Sequence, residues 1–408
     1  MGPDAAAPTR PLRFLLGPAF VAAIAYVDPG NVAANVSAGA QYGFLLVWVI
    51  VVANVMACLV QYLSAKLGLV TGRSLPEAVA DRMGTPTRIA YWLQAELVAM
   101  ATDLAEIVGG AIALYLLFDL PLLVGGVITG VVSVALLLIK DRGGQNAFER
   151  VITGMLAVIA VGFLTSLVAA PPPVDQVLGG LVPRFDGAES ILLAAAMLGA
   201  TVMPHAVYLH SGLARDRHGH APRGPRRAAL LRATRWDVGA AMLVAGAVNL
   251  SMLLVAATNL QGLPDTDSIE GAFGAVETTL GHTVALVFAI GLLASGLASS
   301  SVGAYAGAMI MQGLLRRSVP LLMRRLITLL PALVVLAAGV DPSRALILSQ
   351  VVLSFGIPFA LIPLIRLTGD RSLMGADVNR RVTTTLGWFV AALISVLNVV
   401  LIYLTLSG

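Results

Sequence analysis

The first place where this sequence could do chemistry is an aspartate set in the middle of an apolar run, Ala25-Tyr26-Val27-Asp28-Pro29-Gly30-Asn31. A carboxylate at the centre of such a run costs at least ~2.5–3.5 kcal/mol if the run lies in a bilayer, so Asp28 needs a partner or a function. Pro29 removes a backbone donor and Gly30 adds freedom, so a helix should break beside the carboxylate. A second apolar run carries Gly199-Ala200-Thr201-Val202-Met203-Pro204-His205, again with a proline in its middle. Once Pro204 removes its donor, the Ala200 carbonyl one turn earlier is left unpaired. Brought together, the two breaks would offer the Asp28 carboxylate, the Asn31 amide oxygen, one or two backbone carbonyls and the Met203 thioether. Oxygen ligands alone suit magnesium or calcium, whereas a sulfur donor shifts preference toward softer transition ions. The plainer reading makes each proline a simple kink and Met203 core filler; two breaks in corresponding places argue against it.

A second group of titratable residues lies on a third run: Glu96, Asp103 and Glu106, with Thr102 beside them. Residues three and seven apart share one side of a helix, so the three carboxylates must face the interior of a bundle, where such chains relay protons. The alternative is a set of static pairs with Arg324, Arg325 and His205. The two readings are compatible, and His205, directly after Pro204, is of the type whose charge changes near physiological pH. His210, further along the same run, reads as structural.

The elements that must hold these residues follow from composition. Hydrophobic residues make up 58% and charged residues 12% of the 408 positions, and the mean hydropathy is +0.88; soluble domains carry about a quarter charged residues. Apolar runs of ~20 residues recur, each enough to cross a hydrocarbon layer of ~30 Å. Continuous runs rather than ~10-residue alternating segments exclude an outer-membrane barrel and leave helices. The lone Cys58 excludes a disulfide within the chain and a cysteine metal site, and is expected as a packed core thiol. The first apolar stretch runs on through Asp28 with no cleavage pattern, so no signal peptide is expected.

Polar punctuation divides the chain into eleven spans, at 14–42, 44–70, 89–118, 121–140, 151–171, 190–213, 237–260, 282–313, 319–340, 343–366 and 384–406. With the N-terminus cytoplasmic and the C-terminus extracytoplasmic, 24 of the 26 Lys and Arg, Arg10 and Arg13 among them, fall on the inner side, leaving only Arg184 and Arg344 outside. The outer loops hold Asp175, Asp186, Asp265, Asp267 and Asp341. One miscounted helix would invert every later loop, so this partition supports both the count and the orientation. The loop 214–236, with His218, His220 and its arginines, reads as a positive-inside anchor rather than a metal or lipid site. Pro204 lies 175 positions after Pro29 and five spans later. An odd number of spans between corresponding helices reverses the second copy, which implies an inverted five-plus-five repeat with the broken helices meeting at the midplane. The expected organisation is one transporter domain, 1–408: a first repeat at 1–171, a second at 172–366, and an added helix at 384–406. The glycine pairs Gly126/Gly130 and Gly303/Gly307 are expected to allow close helix packing within one chain rather than dimerisation.

The Asp28-Pro29-Gly30-Asn31 tetrad and Met203-Pro204-His205 resemble the two signature motifs of the Nramp family, the proton-linked manganese and iron transporters, and the resemblance covers essentially the whole chain. It implies the leucine-transporter fold with an eleventh helix appended. It also implies that Asp28, Asn31, the Ala200 carbonyl and Met203 bind the metal, with the Ala25 carbonyl and Gln350 joining in particular conformations. Asp103, Glu106, Glu96, His205, Arg324 and Arg325 are then the proton and salt-bridge network. The implied activity is proton-coupled import of Mn²⁺ or Fe²⁺, with Cd²⁺, Co²⁺ and Zn²⁺ as further substrates, by alternating access across the cytoplasmic (inner) membrane. The metal is cargo and no cofactor is expected; the chain is expected to act as a monomer in the lipid bilayer, with no nucleic-acid partner. A sodium- or proton-coupled amino-acid or organic-solute transporter could share the fold, but Asp28 would repel a substrate carboxylate. An intramembrane enzyme would need an HExxH, a GxSxG or a second protease-like aspartate, none of which is present.

Overall fold

The computed structural model describes residues 17–263, 266, 268–317 and 321–407, with the side chains of 139–143, 321, 322 and 404–407 set aside. Arg10, Arg13, Asp265 and Asp267 thus lie outside the described residues, as do the side chains of Lys140 and Arg142. Every regular element among them is helical. The first predicted span is two helices, α1 (Pro18–Ile24) and α2 (Pro29–Tyr42), joined by a 3₁₀ turn over Ala25–Val27. There follow α3 (Val47–Thr71), α4 (Leu75–Ala80), α5 (Thr85–Phe118), α6 (Leu122–Gly143), α7 (Gln145–Ala169) and α8 (Val174–Gly179). The sixth span is α9 (Gly187–Thr201) and α10 (Pro204–His218), and α11 (Pro225–Asn259), α12 (Ile269–Leu280) and α13 (His282–Leu315) come next. The chain closes with α14 (Leu321–Ala337), α15 (Pro342–Gly369), α16 (Arg371–Met374) and α17 (Arg381–Ser407).

Helix occupies all eleven predicted spans, and among the described residues eight helical segments are long and apolar enough to cross a membrane. The first, fourth and ninth spans fall short of that measure. One is broken, α6 offers a shorter apolar stretch, and α14 is only 17 residues long with Arg324 and Arg325 inside it. Several helices outrun their apolar cores, because a hydropathy window records the stretch that suits lipid and not the stretch that stays helical. This corrects the reading of 214–236 as a loop: α10 runs to His218 and α11 begins at Pro225. Three of its seven arginines are tied down by ion pairs, Arg215 to Glu77 at 2.5 Å, Arg217 to Glu149, and Arg227 to Asp377 at 2.8 Å.

Loops assigned to one side of the bilayer meet at one end of the bundle. Arg82 pairs with Asp370 at 2.6 Å and Arg316 with Asp81 at 2.8 Å, while the amide of Gly17 donates to Asp237 at 3.0 Å. At the other end the Trp48 indole donates to the carbonyl of Arg184 at 3.3 Å. The four half-helices pack crosswise, α1 against α10 and α2 against α9. The first half of one broken helix thus meets the second half of the other, as two helices running in opposite directions must.

The glycine pairs serve different ends. A Cβ at Gly126 or Gly130 would lie 2.7 Å from a Leu336 methyl or 2.9 Å from a Leu329 methyl, so this pair does seat α14 against α6. A Cβ at Gly303 would instead lie 2.9 Å from the Glu106 carboxylate, and one at Gly307 would lie 1.8 Å from the Arg324 guanidinium. The second pair makes room for charged side chains lying across α13, not for a helix. Cys58 is half-buried against the core, less enclosed than expected, and is a free thiol.

Candidate functional site

Both prolines stand at the first position of a second half-helix, where a missing N–H costs nothing and the fixed φ suits the turn. Before Pro29 the chain is extended at Asp28 (φ −70°, ψ 168°), and before Pro204 it is extended at Met203 (φ −62°, ψ 123°). The residue before a proline is pushed out of the helical region, which places the break at Asp28 and Met203. Asp28 caps α2: its Oδ1 accepts from the Asn31 amide N–H at 2.8 Å and from Asn31 Nδ2 at 2.7 Å. The same Nδ2 donates to the Ala200 carbonyl at 3.0 Å, so the carbonyl freed by Pro204 faces the other break. The Asn31 amide therefore bridges two oxygens expected to take a cation. Its own Oδ1 meets the Thr201 hydroxyl at 3.5 Å. Rotating the amide would turn that oxygen toward Asp28, and which end of an amide points where is set by its hydrogen-bond partners.

Asp28, Asn31, Ala200, Met203 and Gln350 are fully buried, and Ala25 nearly so. The second carboxylate oxygen of Asp28 and the Oε1 of Gln350 are buried with no hydrogen-bond partner among the described residues. Unpartnered buried acceptors cost free energy and call for an explanation, all the more on a carboxylate. Gln350 lies against both broken helices. A Cβ at Gly30 would fall 1.8 Å from its Nε2, and one at Gly199 would fall 2.1 Å from its carbonyl. Met203 packs in the same core cluster as Ala25, Tyr26 and Val27. Among the described residues no three His, Cys, Asp or Glu gather as a metal cluster. A site with one carboxylate suits an ion that must leave again.

The groups that compensate the first break were not anticipated from the motifs. Asn249 Nδ2 donates to the Tyr26 carbonyl at 2.7 Å, Ser295 Oγ to the Val27 carbonyl at 2.5 Å, and Asn35 Nδ2 to Asn249 Oδ1 at 3.0 Å. Asn249 on α11 was the available signal, because a buried amide in an apolar helix also needs partners. Gly109 completes the frame: a Cβ there would sit 2.0 Å from Pro29 Cβ, so α5 touches the break itself.

That contact brings Glu106, one turn before Gly109, close to the break, with Asp103 and Glu96 successively further along α5. Arg325 pairs with Asp103 and is held further by Ser300 and, at 2.9 Å, by Ser133. Arg324 reaches Glu96 at 3.1 Å. Glu106 is fully buried, and neither of its oxygens has a hydrogen-bond partner among the described residues. Two of the three acids are therefore paired and one is not. Among the described residues His205 pairs with no carboxylate: its Nδ1 meets the Thr102 hydroxyl at 3.3 Å and its Nε2 has no hydrogen-bond partner. His210 bonds Gln61 through Nδ1 at 2.6 Å, and Gln61 in turn donates to Tyr26.

Among proteins of known kind, the Divalent metal cation transporter MntH of Mycobacterium tuberculosis (strain H37Rv) is 71% identical over 395 residues, covering 97% of this chain and 92% of that protein. The solved structure of the Eremococcus coleocola manganese transporter superposes with a TM-score of 0.86 at 30% identity, covering 98% of this chain and 88% of that one. MhsT, solved in complex with L-phenylalanine, shares the fold at a TM-score of 0.58 and 14% identity, with 98% of each chain covered. At that identity the likeness speaks for architecture alone, and it shows the same arrangement of helices serving an unrelated ligand. The model of the Natural resistance-associated macrophage protein-like family matches residues 19–404, which takes in both broken helices and every candidate residue above, and the chain accordingly belongs to the Nramp family of membrane transporters.

Proposed function

We propose that this chain imports divalent transition-metal ions, Mn²⁺ and Fe²⁺ foremost and Cd²⁺, Co²⁺ and Zn²⁺ among its further substrates, across the cytoplasmic membrane together with protons. The observation that carries the reading is the unpartnered, fully buried Asp28 carboxylate oxygen at the point where two helices break against each other. In this reading Asp28 supplies the charge, the Ala200 carbonyl and the rotated Asn31 amide supply neutral oxygens, and Met203 supplies the soft donor that separates manganese from calcium and magnesium. The Ala25 carbonyl and the free Oε1 of Gln350 join as the half-helices move. Alternating access is rocking of α1 and α10 at one end and α2 and α9 at the other about this point, within an inverted repeat of 1–171 and 172–366 followed by the added helix at 384–406. All eleven spans cross the membrane, with the N-terminus in the cytoplasm and the C-terminus outside, and one chain suffices.

Protons take the neighbouring helix. Glu106, unpaired and beside the break, is the group free to gain and lose a proton. Asp103 with Arg325, and Glu96 with Arg324, hold charge along the way out, and His205 lies between the two systems. An organic-solute carrier on the same fold would have to place a substrate carboxylate against Asp28, which the charge opposes.

Uptake by proteoliposomes tests the reading. Metal should enter faster under an inward proton gradient, and Asp28→Asn, which leaves only neutral donors against a dication, should reduce metal uptake to near background. Parental uptake by that variant would refute the assignment.

A further inference from the structure

We propose that the inner ends of α15 and α17, which lie at the end of the bundle where most of the arginines gather, form a binding site for the phosphate headgroup of an anionic phospholipid. A cavity of about 460 Å³ opens there between Gly369, Arg371, Asn379, Arg381, Thr384 and Thr385. It holds two guanidinium groups and two hydroxyls, a donor set that suits a phosphate, while the Asn379 amide at its edge is engaged by Lys66 at 2.9 Å and Thr368 at 2.7 Å. Carboxylates nearby do not cancel the charge. Asp370 is engaged by Arg82 at 2.6 Å, and Asp377 by Arg227 at 2.8 Å. The Ser372 hydroxyl and Arg82 hold the Asp370 carboxyl down to about 2, so it stays ionised and committed. Arg371 and Arg381 are exposed, and neither makes an ion pair among the described residues.

Helical register argues for a lipid over a soluble anion. Arg381, Thr384 and Thr385 are followed on the same face of α17 by Trp388 and Phe389, seven and eight residues on. Trp388 takes the Arg366 guanidinium over its ring at 5.8 Å, and an arginine stacked on a tryptophan marks the level of the headgroups. Beyond it the same face of α17 is apolar and open, with Phe389 64%, Val396 60% and Val399 64% exposed. A headgroup seated on the two arginines would therefore lay its acyl chains along this face of α17. The occupant is a glycerophospholipid with net negative charge, and its effect is to hold α17 against α15.

The full chain in mild detergent, with lipid added back, tests this by native mass spectrometry and melting temperature. Phosphatidylglycerol should be retained through purification and raise the melting temperature, while phosphatidylcholine and inorganic phosphate should do neither. At about 5-fold in affinity for each basic residue near an anionic headgroup, Arg371→Ala with Arg381→Ala should weaken phosphatidylglycerol binding about 30-fold. Arg371→Lys with Arg381→Lys should keep most of it, which separates loss of charge from loss of fold. Equal retention of phosphatidylcholine, or unchanged phosphatidylglycerol binding by the double alanine variant, would overturn the proposal. Equal stabilisation by inorganic phosphate would overturn it in favour of a soluble anion.

Discussion

Gly30→Ala should destabilise the protein through Gln350, and the size of the effect can be worked out from the packing. A Cβ at position 30 would lie 1.8 Å from Gln350 Nε2, 2.3 Å from its Cδ and 2.8 Å from its Cγ. All three distances fall inside van der Waals contact, so flipping the terminal amide is not enough and the whole side chain must leave its place. Forcing an extra methyl into a packed core costs about 1–3 kcal/mol. Against this, alanine is a better helix former than glycine by about 0.5–1 kcal/mol, and Gly30 lies in the first turn of α2. The clash should win, leaving a net loss of about 1–2 kcal/mol in the parent. In a Gln350→Ala background the clash is gone and only the helix term remains, so the same substitution should be neutral or stabilising by up to about 1 kcal/mol. The coupling between the two positions is then about 1–3 kcal/mol, the cost of the clash itself. Melting curves of the four proteins in one detergent measure it. If Gly30→Ala lowers the melting temperature equally with and without Gln350, the side chain does not lie on the break and its proposed part in the site falls with it.

Met203→Ala should weaken manganese and cadmium binding only moderately, because Asp28 and Asn31 remain, while letting calcium compete. Manganese uptake titrated against calcium would decide this, and full exclusion of calcium by the variant would make the thioether core filler. Arg325→Met leaves the Asp103 carboxylate, only 2% exposed, without its partner, and should cost about 3–5 kcal/mol; Asp103→Leu in the same chain should recover most of it, because an apolar pair replaces a buried ionic one at little cost. A single variant as stable as the parent in thermal unfolding would contradict the pairing. Glu106→Gln removes a carboxylate with no hydrogen-bond partner, so stability should change little while metal-stimulated proton entry falls. Unchanged proton entry across about pH 5 to 8 would exclude Glu106 from the route.

What the sequence determined by itself were the features set by local chemistry. A proline pushes the residue before it out of the helical region, so the breaks at Asp28 and Met203 were legible from the motifs, whereas Pro331, Pro358 and Pro363 stay inside α14 and α15, where the surrounding packing keeps the helix going. Apolar runs place a chain in lipid for the same local reason, and helix duly occupies every predicted span. Helix ends were less legible, because residues such as those of α11 before Asp237 are polar enough for water yet keep helical hydrogen bonds.

Tertiary structure decided who meets whom. Nothing in the spacing of Gly303 and Gly307 distinguishes a seat for a helix from a seat for Glu106 and Arg324, since a missing Cβ accommodates either. The sequence placed three acids on one face of α5 but could not say that Asp103 and Glu96 find arginines and Glu106 does not; that depends on where α14 docks, 200 residues and more away in the chain. Likewise Asn249 and Ser295 are ordinary polar residues in apolar helices until packing sets them against the opened backbone of the first break, and Thr201 until it meets the Asn31 amide oxygen. A hydrogen bond between distant segments has no local signature, because its free energy is realised only when both partners have already been desolvated together.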